Sequence, residues 1–151
     1  MRGWVVAVVV AGAIGCAPRA PRALVGDAAN GLDAFLAAHA RRADEPIHAD
    51  RIARTDGASY HVVQIARGEP PHRHRQHDLT VVVLRGRGTS HVGDATTAVA
   101  PGDTIAIPRG TVHWFTNDGS SDAVTLAVFS PPLDAPDSEP ATAFDPHAPG
   151  R

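Results

Sequence analysis

The chain has 151 residues and a formal net charge of -2 at neutral pH, so it has room for one domain with a modest core and not for two. This charge gives no bulk electrostatic attraction to nucleic acid, and we expect no nucleic-acid partner. All 14 basic residues are arginine, which excludes a mechanism that needs a lysine amine, such as Schiff-base formation.

The first residues have the form of a secretory signal. Residues 4–14 are continuously apolar or small and follow a positively charged start, but this run is too short to span a membrane as a stable helix. Ala13-Ile14-Gly15-Cys16 resembles a bacterial lipobox, and the resemblance implies a signal peptide over residues 1–15 and a lipid on Cys16. The protein would then be anchored to a membrane of the bacterial cell envelope and face the periplasm or the outside. The alternative is an ordinary cleaved signal in which Cys16, the chain's single cysteine, has no role.

The next residues lead from this segment into the domain. Residues 16–30 are rich in proline and small residues and predict a tether. Residues 31–42 predict a short helix, within an N-terminal lead-in over residues 31–49, because their larger side chains recur at helical spacing. That stripe is formed by Leu32, Phe35, Leu36 and His39. We expect Asn30 to cap this helix, Asp33 to favour the positive end of its dipole, and the helix to support the domain that follows.

From residue 50 onward, short segments separated by turn residues predict an all-β sandwich or barrel over residues 50–130. The candidate strands are residues 51–55, 59–65, 79–84, 89–92, 96–100, 104–108 and 123–129. Residues 81–84 are continuously apolar, as expected of a strand buried on both faces. Residues 131–151 are rich in proline, and we expect an extended or disordered tail there.

The strongest signal in the sequence lies between Gly102 and Asn117. Pro108 ends a strand where no ladder N–H is needed, and Gly110 permits a positive φ. His113 then enters the next strand, and Asn117 is placed to stabilise the turn that follows. These residues match the pattern G-x5-P-x-G-x2-H-x3-N at every fixed position, and in this the chain resembles the second motif of the cupin family.

Two further histidines lie upstream of this motif. His72 and His74 alternate with an arginine, so on a strand both imidazoles point to the same face. Two imidazoles that face a third from another strand can hold a divalent transition metal such as Fe, Mn, Ni, Cu or Zn. The first cupin motif has the form G-x5-H-x-H-x3or4-E-x6-G; here Gly68 precedes His72 by two residues fewer, and Gly86 ends the motif. The resemblance implies a metal on His72, His74 and His113.

The glutamate of the first motif is missing. Its position, counted back from Gly86, holds Leu79, which cannot bind a metal. Asp78 is the nearest carboxylate, and a local bulge could turn it inward as a fourth ligand. Two alternatives stay open: His77 takes that place, or the metal has three protein ligands only.

The resemblance covers about residues 50 to 130 and implies an all-β, cupin-type jelly-roll barrel with a short N-terminal helix. It also implies a metal in the mouth of the barrel and a pocket for a small molecule, but it does not determine a reaction. His61 and His91 lie on candidate strands and could line this pocket; the commoner alternative is that they are hydrogen-bonded or exposed histidines without a role. One hypothesis is a metal-dependent enzyme of the cell envelope that acts on a small molecule, with the metal as Lewis acid or oxygen-activating centre. The other is a non-catalytic envelope protein that binds a ligand or a metal. Leu79 favours the second slightly, and a homodimer is left open in both.

Overall fold

The computed structural model describes the backbone of residues 22–25 and 28–142 and the side chains of residues 31–142. The predicted signal peptide, Cys16 and the end of the predicted tail lie outside the described residues. No helix in the part of the chain that is described is long and apolar enough to cross a membrane.

The described residues form twelve strands and one short helix, which confirms the predicted fold class. The strands are β1 (Arg22–Val25), β2 (Ala28–Gly31), β3 (Ile47–Arg54), β4 (Ser59–Ile65), β5 (His72–His74), β6 (Asp78–Arg85), β7 (Gly88–Val92), β8 (Ala95–Val99), β9 (Thr104–Ile107), β10 (His113–Asn117), β11 (Ala123–Ser130) and β12 (Ser138–Pro140). The helix is α1 (Leu32–Ala38). The hairpin of β1 and β2 lies where the sequence predicted an irregular tether.

Two five-stranded antiparallel sheets enclose the core. One sheet has the strand order β3-β4-β11-β6-β9 and the other the order β12-β5-β10-β7-β8. Val99 and Phe115 from the second sheet pack against Ile65 and Val83 from the first, so the core lies between the two sheets. Two antiparallel sheets that pack in this way form the jelly-roll barrel that the sequence predicted.

The strand β6 is apolar on both faces because each face has a packing partner. Leu79 is buried in the barrel interior against Phe129, whereas Leu84 packs on the outer face. There, Leu32 of α1 packs with Val62 of the sheet. The helix therefore supports the barrel from outside, as expected.

The helix is shorter than predicted and begins differently. The N-cap of α1 is Gly31, and no side chain caps the helix, so the prediction that Asn30 caps it is wrong. Asn30 instead lies in β2. The predicted helix over residues 31–42 ends early, and the side-chain amide of Gln64 donates a 2.6 Å hydrogen bond to the carbonyl of His39 just beyond it.

The residues after β11 are more ordered than predicted. Residues 131–142 are described, and β12 within them pairs with β5, the strand that carries His72 and His74. Glu139 of β12 accepts hydrogen bonds from Arg73 and Arg75 of the neighbouring segment. In these ion pairs the two arginines point away from the barrel interior, and they hold residues 138–140 against the sheet.

Candidate metal centre

The structure brings three of the predicted ligands together. His72 and His74 lie on β5, and His113 on β10 stands opposite His72 in the antiparallel register. One possible donor atom of each imidazole lies within 4.8 Å of the others. The three residues are only 3% to 9% exposed, so they are not surface histidines.

The backbone on each side fixes the orientation of two of these rings. The Nδ1–H group of His72 donates to the carbonyl of Pro70 at 2.9 Å, and that of His113 donates to the carbonyl of Thr111 at 2.9 Å. A carbonyl can only accept, so Nδ1 carries the proton in both rings, and in the neutral form of such a ring Nε2 holds the lone pair. This is the tautomer in which a histidine binds a metal through Nε2.

Two imidazole nitrogens of this cluster are buried and have no hydrogen-bond partner among the described residues. They are His74 Nδ1 and His113 Nε2. An unpaired buried polar atom costs free energy, so such atoms usually mark a site where a water, an ion or a ligand binds. The donor set and these free nitrogens fit a divalent transition metal.

Burial lowers the pKa of both His74 and His113 to about 4, and the neighbouring His72 adds to this effect. Both rings are therefore neutral at pH 7. Because a histidine must be neutral to bind a metal, these two need lose no proton to do so.

The second motif holds this cluster in place. Gly110 has a φ of 81°, as predicted, and its N–H donates to the carbonyl of His74 at 2.6 Å. The bond ties the loop before β10 to β5. Asn117 at the other end of β10 donates to the carbonyls of Ala66 and Ser121, so it stabilises the turn after the strand. The predicted roles of Gly110 and Asn117 are confirmed.

The structure places Asp78 outside the cluster. The strand β6 pairs with β11 in regular register at this point, with Leu79 opposite Phe129, so no bulge turns Asp78 inward. Arg109 donates to the Asp78 carboxylate from its side chain at 2.6 Å and from its backbone N–H at 2.9 Å. These bonds lower the pKa of Asp78 to about 2. Asp78 forms a surface ion pair, and the structure does not support it as a ligand.

His77 also lies apart from the three histidines. Its Nδ1 atom is 2.5 Å from a carboxylate oxygen of Asp137, which also accepts a hydrogen bond from the backbone of Gln76. The side chains of His77 and Asp137 are only 8% and 7% exposed. The pair fastens the segment before β12 to the loop between β5 and β6, so its position indicates a structural role.

The histidine cluster opens into a cavity of about 300 Å³ inside the barrel. Its wall is predominantly apolar, and Leu79 contributes to it at the position of the missing glutamate. Both His61 and His91 contribute to the wall, but His61 bonds to the hydroxyl of Ser59, and the ring of His91 stacks on Trp114. Glu69, the acidic residue of this wall, was not predicted from the sequence, although its place three residues before His72 was a signal that could have identified it.

Comparisons with known proteins agree with this geometry. The cupin domain family matches residues 59–129. An uncharacterized protein of Aquifex aeolicus (strain VF5) is 38% identical over 94 residues, which cover 62% of this chain and 77% of that protein. The putative germin-like protein 3-2 of Oryza sativa subsp. japonica is 34% identical over 82 residues, which cover 50% of this chain and only 36% of that longer protein. The crystal structure of TT1209 from Thermus thermophilus has the same fold, with a TM-score of 0.57 and 24% identity over 64% of this chain and 94% of that one.

Proposed function

This chain is a member of the cupin family, and we propose that it binds a divalent transition metal through His72, His74 and His113 and holds a small molecule beside it. The observation that carries the proposal is the pair of unpartnered nitrogens, one on His74 and one on His113. Both residues also line the cavity, so a ligand in the cavity would lie next to the metal.

Three imidazoles leave coordination positions free for a ligand or water. A metal bound there would supply Lewis acidity or oxygen activation. The carbonyls of Pro70 and Thr111 keep two imidazoles in the orientation and tautomer that binding needs. The apolar wall excludes water and strengthens electrostatic interactions inside the cavity.

A non-catalytic binding protein is the second candidate, and Leu79 is the observation that favours it. Leu79 replaces a carboxylate that would have served as both ligand and base. If the protein is an enzyme, it converts the molecule that it binds, and His113→Ala should abolish this conversion without unfolding the protein. A binding protein returns the molecule unaltered.

We also propose that the chain is exported and anchored by an acyl group on Cys16. The apolar run over residues 4–14 and the Ala13-Ile14-Gly15-Cys16 sequence support this proposal. Mass spectrometry of the protein expressed in a bacterium should find the mature chain beginning at an acylated Cys16. The Cys16→Ser variant should lose both the acyl group and its place in the membrane fraction. An unmodified Cys16 in the wild type would contradict the proposal.

The metal proposal is tested by elemental analysis of the full chain, purified in mild detergent. We expect about one transition metal per chain in the wild type or after reconstitution, and loss of it in His72→Ala, His74→Ala and His113→Ala. His61→Ala is the matched control, because His61 is a buried histidine that lines the same cavity but lies outside the cluster. If no transition metal copurifies or can be reconstituted, the metal proposal is wrong.

A further inference from the structure

Glu69 is the acidic residue among the described residues that line the cavity. The other lining side chains are aliphatic, aromatic, hydroxyl-bearing or imidazole, and no arginine is among them. A molecule inside the cavity therefore meets one carboxyl group and no arginine.

The loop before β5 fixes Glu69 beside the histidine cluster. The backbone N–H of Glu69 donates to the carbonyl of Phe115 at 2.9 Å, and Gly68 forms an isolated β-bridge with Thr116. A Cβ atom at Gly68 would lie 2.5 Å from that same carbonyl oxygen, so only glycine allows this close approach. Because Phe115 and Thr116 belong to β10, Glu69 is tied to the strand that carries His113.

The Glu69 carboxyl makes no hydrogen bond and no ion pair within residues 31–142. Burial raises its pKa, and the nearby His72 opposes this shift. Glu69 as a whole is partly exposed, and its carboxyl oxygens are not among the fully buried unpaired atoms, so a molecule in the cavity can reach them. A bound ligand can therefore supply the hydrogen-bond partner that the carboxyl lacks.

We propose that Glu69 binds the hydroxyl group of an uncharged, largely apolar ligand and keeps molecules with a carboxylate or phosphate out of the cavity. Protonated or ionised, a carboxyl accepts a hydrogen bond from a hydroxyl group. An anionic group would lose its hydration against this apolar wall, would find no arginine to pair with, and would be repelled by the ionised form of Glu69. The volume, about 300 Å³, suits a molecule built on one substituted ring. This inference rests on the proposed small-molecule binding and is independent of the metal.

Calorimetric titration of the full chain in mild detergent tests the inference, with a chelator present so that no metal ion can hold an anion. The probes are phenol, anisole and benzoate, which share one ring and differ in the donor and in charge. We expect phenol to bind at least about fivefold more tightly than anisole, the factor of one net hydrogen bond. We expect benzoate to bind at least about tenfold more weakly than phenol.

Two variants assign this selectivity to Glu69. In Glu69→Leu, phenol and anisole should bind equally, because the hydrogen-bond acceptor for the phenol hydroxyl is gone while leucine is similar in size to glutamate. In Glu69→Gln, which keeps the shape and removes the charge, the exclusion of benzoate should be relieved. Glu139→Gln is the matched control and should bind as the wild type does, because Glu139 pairs with Arg73 on the outside of the barrel.

Three results would overturn the inference: benzoate binding as tightly as phenol, a preference for phenol that survives in Glu69→Leu, or no binding of any probe. Should Glu69→Leu fail to fold, the response of Glu69→Gln to benzoate decides. Metal content is measured separately, so a protein without metal that discriminates among the probes contradicts the metal proposal alone. A protein that binds metal and does not discriminate contradicts this inference alone.

Discussion

Replacing Asn117 by alanine should destabilise the barrel strongly, because this one side chain joins three backbone segments. Its amide donates to the carbonyls of Ala66 at 2.9 Å and Ser121 at 2.8 Å, and its carbonyl accepts from the N–H of Gly119 at 2.9 Å. A net contribution of about 0.5 to 1.5 kcal/mol for each of these three bonds gives a loss of about 1.5 to 4.5 kcal/mol in the free energy of unfolding.

Urea denaturation of the wild type and the variant, followed by far-ultraviolet circular dichroism, measures this loss. Asn117→Asp should also lose stability, because it keeps the acceptor for Gly119 but sets a carboxylate oxygen against the carbonyls of Ala66 and Ser121. Thr116→Ala is the control: Thr116 is an exposed neighbour on the same strand, and its loss should cost under about 0.5 kcal/mol. If Asn117→Ala lowers the free energy of unfolding by less than about 0.5 kcal/mol, the hydrogen bonds of Asn117 do not stabilise these segments and the reasoning is wrong.

Three further predictions follow from the packing and the charges. Gly88→Ala should cost more than about 3 kcal/mol or prevent folding, because a Cβ there overlaps atoms of β10, whereas Gly57→Ala, with open space around it, should change the denaturation midpoint little. The metal-free protein should lose stability as the pH falls from about 6.5 to 4, because the unfolded chain binds protons that the buried His74 and His113 do not. For each of the two histidines, the free energy of unfolding should fall by up to about 1.4 kcal/mol per pH unit. Thermal unfolding at a series of pH values measures this slope, which replacing both histidines by glutamine should flatten. Asp78→Asn should leave the metal affinity unchanged within about twofold in a competition titration, and a loss of tenfold or more would return Asp78 to the ligand set.

The sequence predicted the features that depend on local geometry. The alternation of His72 and His74 with an arginine put both imidazoles on one face of a strand, which is a property of the strand alone. The positive φ of Gly110 and the turn after Asn117 are also local, and the structure has both. The motif then needed only one long-range pairing, that of β5 with β10, to assemble the cluster.

The features that the sequence did not predict depend on distant contacts. The orientation of Asp78 follows from the register of β6 on β11 and from Arg109, 31 residues away. The order of residues 131–142 depends on pairing between β12 and β5 and on the contact of Asp137 with His77, 60 residues away. Local composition carries no information on either. Glu69 is a different case, because the sequence shows that it lies close to His72 and does not show that it lines the cavity.

The measurement that tests the metal centre most directly is an anomalous difference map from crystals of the protein grown with zinc. We expect one peak bonded to an imidazole nitrogen of each of His72, His74 and His113, at about 2.0 to 2.1 Å. The absence of a peak at this cluster, or a strongest peak at His77 and Asp137, would contradict the proposed metal centre.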